Sequence, residues 1–405
     1  MIWLRGADIV LPDRVLTGGM LAIDGEQITA IEERSAAPAS GEALVDLAGS
    51  LVVPGFVDVH VHGVEGHDVL DGRGAIARVA ARLPRYGVTA FCPTSIGCDP
   101  KTLGEMLEEI AALKAAPPAL SARVLPAHLE SNFINEAYRG AQPLRCLRVP
   151  RRTSSDAPAS QSNAFSSSDI LDVIKLYRSQ VAIVTLAPEL DGGMALVEQL
   201  SAAGHRVSIG HSGATYEQAL TAIEAGVSHA THLFNRMTPM THRAPGIPGA
   251  VLQSDRVCAE LICDGFHVHP AVMQLAIRLK GPNGILAITD GTAGSGLPPG
   301  SRTRLGGQPI IVTARTAELE DGTLAGSVST MEATFRQLVR QHGVSVVDAA
   351  RMCATTPAKQ LRLGNSGQIG VGATADLVVL DRSLRVTHTY LRGGLWRNMA
   401  DAPVV

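Results

Sequence analysis

Aromatic residues make up only 3% of this 405-residue chain. That is too few for the stacking platforms on which single-stranded nucleic acid is held. Charge of one sign is missing too: 35 Lys+Arg stand against 38 Asp+Glu, a net −3. Such a balance gives no reason to expect a nucleic acid or an anionic membrane as partner, though a local anion site remains compatible with it. No apolar run approaches the ~20 residues of a membrane helix. The opening Met1-Ile2-Trp3-Leu4-Arg5 has a charge within its short apolar stretch and no basic region ahead of it, so no signal peptide is expected. The six cysteines form no C-x-x-C pair, and a chain of this length can bury a core without disulfides. Reduced thiols and a cytoplasmic location follow as expectations. Lysine is scarce: Lys101, Lys114, Lys175, Lys280 and Lys359 are the whole supply.

Hydrophobic residues, at 45%, suffice for a globular fold. From Pro54 onward, short apolar runs alternate with amphipathic segments of helix length. The expected strands are Gly55–Val61, Ala90–Pro93, Val124–Leu129, Val181–Leu186, Val207–Ile209, His229–Leu233, Val257–Ile262 and Ile285–Thr289. Gly74–Tyr86, Thr102–Ala115, Ser168–Ser179, Met194–Ala203, Tyr216–Ala225 and Ala271–Leu279 carry helical periodicity. Eight βα repeats over some 300 residues predict an α/β protein with a (β/α)₈ TIM barrel. Residues 1–53 and 360–405 read as β instead, with Asp24-Gly25 as a hairpin turn. The economical arrangement is a small β-sandwich domain formed from both termini, with the barrel of residues 54–359 inserted between them. Arg151–Ser168 is Ser-rich and almost free of apolar residues, a long loop on this reading.

Asp58-Val59-His60-Val61-His62 closes the first barrel strand, and residues i and i+2 of a strand share a face. Glu130, His211, His232 and Asp290 each fall at the end of another expected strand. Active-site residues of (β/α)₈ enzymes collect at these C-terminal ends, and imidazoles with carboxylates are ligands for divalent ions. Two ions held close together need a bridging anion. In many barrel hydrolases that anion is a carboxylated lysine, but none of the five lysines ends a barrel strand, which leaves Glu130.

The strings Pro54–Gly63, His128-Leu129-Glu130, Gly210–Thr215, Thr231-His232-Leu233-Phe234-Asn235, Asp264–Val268, Thr289-Asp290-Gly291 and Leu324-Ala325-Gly326-Ser327 occur in one order across nearly the whole chain. Together they closely resemble the N-acetylglucosamine-6-phosphate deacetylases of the amidohydrolase superfamily. The resemblance implies a barrel with a β-sandwich from both termini. It also implies hydrolysis of an N-acetyl amino sugar to the free amine and acetate by a water that a divalent metal activates. Asp290 would take the proton from that water and return it to the departing amine. Members use one ion or two; retention of both His60 and His62 favours two, with His60, His62 and Glu130 on one and Glu130, His211 and His232 on the other. Zinc is the first candidate, with iron, manganese or cobalt after it. The resemblance makes Asn235 and His267 substrate contacts. It matches Arg243 to an arginine that binds the sugar phosphate, often from the neighbouring subunit, and so implies a homodimer.

Four departures cluster on substrate-facing loops. Ser131-Asn132 replaces Gly-Pro, Gln142 replaces a histidine, Arg236 replaces an alanine, and the Ser-rich stretch follows. Gln142 and Arg236 are therefore candidate substrate contacts in their own right. The alternatives are a deacylase of an unphosphorylated N-acyl amino sugar, another amidohydrolase such as a D-aminoacylase, or a barrel without catalysis. The intact set of ligand positions speaks against the last.

Overall fold

The computed structural model describes residues 1–33, 43–151 and 165–396. Most of the Ser-rich stretch, 152–164, lies outside them. Eight parallel strands form a nearly closed barrel: β1 (Phe56–Val61), β2 (Val88–Ser95), β3 (Ala127–Glu130), β4 (Val181–Leu186), β5 (Arg206–Ile209), β6 (Val227–Ala230), β7 (Cys258–Ile262) and β8 (Ile285–Ile288). Each pairs in parallel with its neighbour from β1 to β8. β8 closes on β1 through a parallel bridge between Val61 and Gly291 and through Thr289, whose hydroxyl donates to Asp58 Oδ2 at 2.5 Å. Barrel strands are covered on both faces, so they read as continuous apolar runs. Ile285-Leu286-Ala287-Ile288, all at 0% exposure, is the plainest case.

Capping chemistry fixes where the helices begin. Asp99 accepts from the main-chain N–H groups of Lys101 and Thr102, with Pro100 opening the helix Pro100–Ala115. Thr215 and Gln218 form a reciprocal capping box at the start of Tyr216–Ala225. That cap ends the string that begins with Gly210 and His211, so the residue after the strand and the helix start are set by one short sequence.

The structure differs from the sequence expectation in three places. The third strand is interrupted: Arg123–Val124 pairs with β2, and β3 resumes at Ala127. Pro126 lies in the gap and has no N–H for the ladder. β6 ends at Ala230 rather than Leu233, which places His232 in the turn beyond the strand. A three-stranded sheet, Arg302–Leu305, Gln308–Val312 and Ala317–Glu318, follows β8 and was not anticipated.

The terminal strands Ile2–Val10, Val15–Asp24, Gln27–Glu32, Ala43–Asp46 and Leu51–Pro54 join Leu377–Leu380, Val386–Leu391 and Gly394–Trp396 in one eight-stranded sheet. Leu51–Pro54 pairs antiparallel with Leu377–Leu380, so the two ends of the chain are hydrogen-bonded to each other. This sheet has its own core, in which Leu4, Ile9, Leu21, Ile28, Val52, Leu377 and Tyr390 meet. No helix is long and apolar enough to cross a membrane, among the described residues. All six cysteines are free and buried.

Candidate metal centre

Every candidate ligand stands at the C-terminal end of a barrel strand. His60 is in β1 and His62 just beyond it. Glu130 is the last residue of β3. His211, His232 and Asp290 each follow their strand by two residues. The last three have left-handed backbones, with φ of 47°, 28° and 50°. Such φ values are uncommon for residues other than glycine and persist only where the surroundings hold them. At Asp290 the hold is visible. Ser327 N–H donates to Asp290 O at 2.7 Å, and Ser327 Oγ donates to Thr289 O at 2.6 Å. A Cβ at Gly326 would stand 2.9 Å from that same Asp290 carbonyl, so the approach requires glycine.

The donor atoms converge. Glu130 Oε1 lies 2.9 Å from both His211 Nε2 and His232 Nε2, which are 3.0 Å apart. Asp290 Oδ1 lies 3.2 Å from both His60 Nε2 and His62 Nε2, themselves 3.2 Å apart. Glu130 stands between the groups, 3.7 Å from His60 Nε2 and 3.6 Å from His62 Nε2. Asp290, rather than Glu130, is thus the carboxylate nearest the H-x-H pair. Glu130 is turned away because Oε1 faces the other two histidines and Oε2 accepts from Gln142 Nε2 at 2.5 Å.

The hydrogen bonds on the far side of the rings settle what these atoms are. His62 Nδ1 faces Thr94 O at 3.0 Å, and His211 Nδ1 faces Tyr138 O at 2.8 Å. A carbonyl only accepts, so in each neutral ring Nδ1 carries the proton and Nε2 a lone pair. His60 Nε2, His62 Nε2 and an oxygen of Asp290 crowd around one point at about 3.2 Å; a shared cation would satisfy all three, and spacings near 3 Å suit ligands about 2 Å from an ion. The residues fit a divalent metal on this ground.

The cleft above these groups is open to solvent, spans about 530 Å³ and is lined by His62, Glu130, Gln142, His211, His232, Asn235, Arg236, His267 and Asp290, with Ile96, Leu305 and Leu324 as apolar wall. Gln142 reaches the wall, but both ends of its amide are engaged: Nε2 on Glu130 and Oε1 on Gly97 N–H at 2.8 Å. Its visible work is to hold a ligand. Asn235 Nδ2 turns back to the carbonyls of His232 and Leu233. His267 is oriented by Asp264, with Nδ1 2.7 Å from Oδ2, and its Nε2 is buried without a partner. A buried polar atom left so costs about 1–3 kcal/mol; a substrate oxygen would satisfy it. Arg236 is exposed at the mouth with φ 49°. Arg243 is exposed in the turn Thr241–Ala244 and does not line the cleft.

Known proteins match this chain over most of its length. The Amidohydrolase family model covers residues 51–396. An N-acetylglucosamine-6-phosphate deacetylase of Danio rerio is 38% identical over 87% of this chain and 86% of its own length. The chain belongs to the N-acetylglucosamine-6-phosphate deacetylase family of amidohydrolases. A solved N-acetyl-D-glucosamine-6-phosphate deacetylase of Mycobacterium smegmatis, in complex with N-acetyl-D-glucosamine-6-phosphate, superposes with a TM-score of 0.86 at 30% identity. That match covers 98% of this chain and 99% of that one. An N-acetylgalactosamine-6-phosphate deacetylase of Escherichia coli O157:H7 is 31% identical over 85% of this chain and 87% of its own length. The amidohydrolase family is one of metal-dependent hydrolases, so the converging donors have the chemistry it requires.

Sequence reasoning passed over the layer below these donor groups. Glu260, His128 and His229 are buried under them and hydrogen-bond upward and sideways. The signal was a single charge, Glu260, within the apolar run Val257–Ile262. Glu189 was missed as well; it pins the His211 loop by accepting from Ser212 Oγ and Gly213 N–H.

Burial alone would lower the pKa of His60. The charges of Asp290 and Glu260, the hydrogen bond to Glu260 and the charge of Glu130 outweigh it and raise the value to about 10. In metal-free protein that imidazole is therefore protonated at neutral pH, and a cation must displace the proton. Raising the pH removes the competitor, so apparent metal affinity is expected to increase about tenfold per pH unit between pH 6 and 8. Competition titration of stripped protein against a chelator checks this; a flat profile would contradict it.

Proposed function

We propose that this chain removes the acetyl group from N-acetylglucosamine-6-phosphate or a closely related N-acyl amino sugar. The observation that carries the reading is the pair of donor groups around Glu130 and Asp290 at the floor of a cleft with an unpartnered His267 Nε2 in its wall. His60, His62 and Asp290 would hold one divalent ion, and Glu130, His211 and His232 another. Zinc is favoured because the donors are imidazoles and carboxylates; iron, manganese and cobalt accept the same set. An ion bound there supplies a Lewis acid for the acyl carbonyl and lowers the pKa of water. Asp290 takes the proton as water adds to the carbonyl carbon. It gives that proton to the nitrogen as the C–N bond breaks, which spares the reaction an amide anion as leaving group. His267, whose Nδ1 donates to Asp264, would accept at Nε2 from a sugar hydroxyl, and Asn235 borders the same wall.

The chain is read as a barrel domain, residues 54–359, and a terminal β domain, residues 1–53 and 360–405. The six buried free thiols fit a reducing, cytoplasmic setting. Arg243, exposed and outside its own cleft, suits a phosphate contact made across a homodimer. The same exposure favours a second reading, deacylation of an unphosphorylated amino sugar, with Arg236 at the mouth as a separate polar contact.

Rates on a panel of N-acetyl sugars with and without a 6-phosphate decide between them. On the leading reading Arg243→Ala raises KM about 10- to 150-fold for the phosphorylated sugar, the cost of a charge-assisted hydrogen bond of roughly 1.5–3 kcal/mol. The unphosphorylated sugar should hardly change. A wild type that hydrolyses both sugars equally well overturns the phosphate assignment and leaves the deacylase reading.

A further inference from the structure

Glu260 lies in β7 at 0% exposure, beneath the metal centre. A carboxylate in a barrel interior is costly to desolvate unless its lone pairs are filled. Here they are filled by imidazoles and main chain. Oε2 accepts from His60 Nδ1 at 2.8 Å and from His232 N–H at 3.2 Å. Oε1 accepts from His229 Nε2 at 2.9 Å and stands 3.5 Å from His128 Nδ1.

His60, His128 and Glu260 are close enough to suggest a third ion site, but their atoms are already committed. His128 bonds Val59 O through Nδ1 at 3.1 Å and Thr185 Oγ1 through Nε2 at 2.7 Å. His60 has one face for each neighbour. Its Nδ1 points down to Glu260 while its Nε2 points up, 3.2 Å from both His62 Nε2 and Asp290 Oδ1. The carboxylate only accepts, so it places the proton on Nδ1 and the lone pair on Nε2. It also fixes the ring plane, because a charge-assisted bond of this length tolerates little rotation. Glu260 does reach the other donor group, but through the backbone of His232 alone.

We infer that Glu260 is a positioning residue that makes the His60–His62–Asp290 position competent for its ion by locking the tautomer and plane of His60. The inference rests on the proposed reading of the six residues as a metal centre. It assigns the chain's capacity for a second ion to a residue that touches neither ion nor substrate.

The test is Glu260→Gln in full-length, chelator-stripped protein, titrated with zinc by calorimetry and checked by elemental analysis. Gln keeps the shape but loses the charge, and its single carbonyl oxygen cannot serve both the His60 and the His229 side as the carboxylate does. Loss of an outer partner of a ligating histidine weakens the ion by about 10- to 100-fold. That weakening is expected for one of two zinc steps, the other staying within about threefold, with metal-free Tm near wild type. Glu260→Asp should restore part of the lost step, since it keeps the charge. Two unchanged steps, two equally weakened steps, or a wild type with only one step would each overturn the inference while leaving the metal centre standing. A wild type that binds no zinc would instead bring down the reading on which it rests. Should Glu260→Gln not fold, histidine ¹⁵N spectra of zinc-loaded wild type decide. A proton on His60 Nδ1 is expected, and a metal-bound or bare Nδ1 overturns the assignment.

Discussion

Asp290→Asn is expected to lower kcat by about 10²- to 10⁴-fold, the range typical of a group that moves a proton in the rate-limiting step. The substitution keeps size and shape. Asn tolerates a left-handed backbone well, so φ 50° is no obstacle, and the Ser327 N–H bond goes to the main-chain carbonyl, which does not change. The fold should therefore survive, and metal-free Tm checks that it does. What Asn cannot do is accept a proton from water and return it to nitrogen. Asp290 is suited to start that cycle as an anion: burial would raise its pKa, but His60 and His62 lower it. Since Oδ1 lies 3.2 Å from both histidines, the loss of charge also reaches the ion they hold. Metal content must accordingly be measured beside kcat. If saturating metal restores occupancy but not turnover, the proton role stands. Near-normal kcat would mean that another group carries the proton.

The barrel was legible because its strands are apolar runs and its ligands are polar interruptions at their ends. His60, His62, Glu130, His211, His232 and Asp290 could be read as one set without seeing how they meet. How they meet was not legible. The period-2 rule puts His60 and His62 on one face, but it says nothing about which carboxylate comes nearest, and that depends on where Gln142 pulls Glu130. Gln142 shows the same limit. Its position in a substrate-facing string suggested a substrate contact, whereas its amide is engaged by Glu130 and Gly97. Glu260 went unread because one charge in a buried strand looks the same whether it serves a ligand or a partner elsewhere. The hairpin Arg302–Leu305 to Gln308–Val312 could have been found. Leu305 pairs with Gln308 across Gly306-Gly307, a two-residue turn of the kind that links paired strands. Arg243 remains the residue whose role depends most on what lies outside one chain.

Glu130→Gln should weaken metal binding further than any other single change at the site. Glu130 is 4% exposed and touches both donor groups, with Oε1 on His211 and His232 and Oε2 toward His62. Burial alone would raise its pKa, but the neighbouring histidines, His211 first and then His232 and His60, hold it well below the usual carboxylate range. At neutral pH it is an anion available to a cation. In the variant, Gln142 Nε2 still needs an acceptor, so the new amide would present its oxygen there and its NH₂ group to the histidines. A donor would then stand where a cation needs an acceptor. Metal-free protein tolerates this, because one imidazole lone pair can receive the new N–H, and its Tm should change little. Loaded protein does not, because the ion loses its buried counter-charge. Removing one side of a buried charge pair costs roughly 3–5 kcal/mol, which corresponds to about 10²- to 10³·⁵-fold in affinity. Competition titration should show that loss at the Glu130–His211–His232 position, and a smaller one at His60–His62–Asp290, where Glu130 stands farther off. Turnover at limiting metal should fall with occupancy, and excess metal should recover part of it. Wild-type affinity at both positions in Glu130→Gln would mean that Glu130 bridges nothing, and the pairing of the four histidines would have to be explained without it.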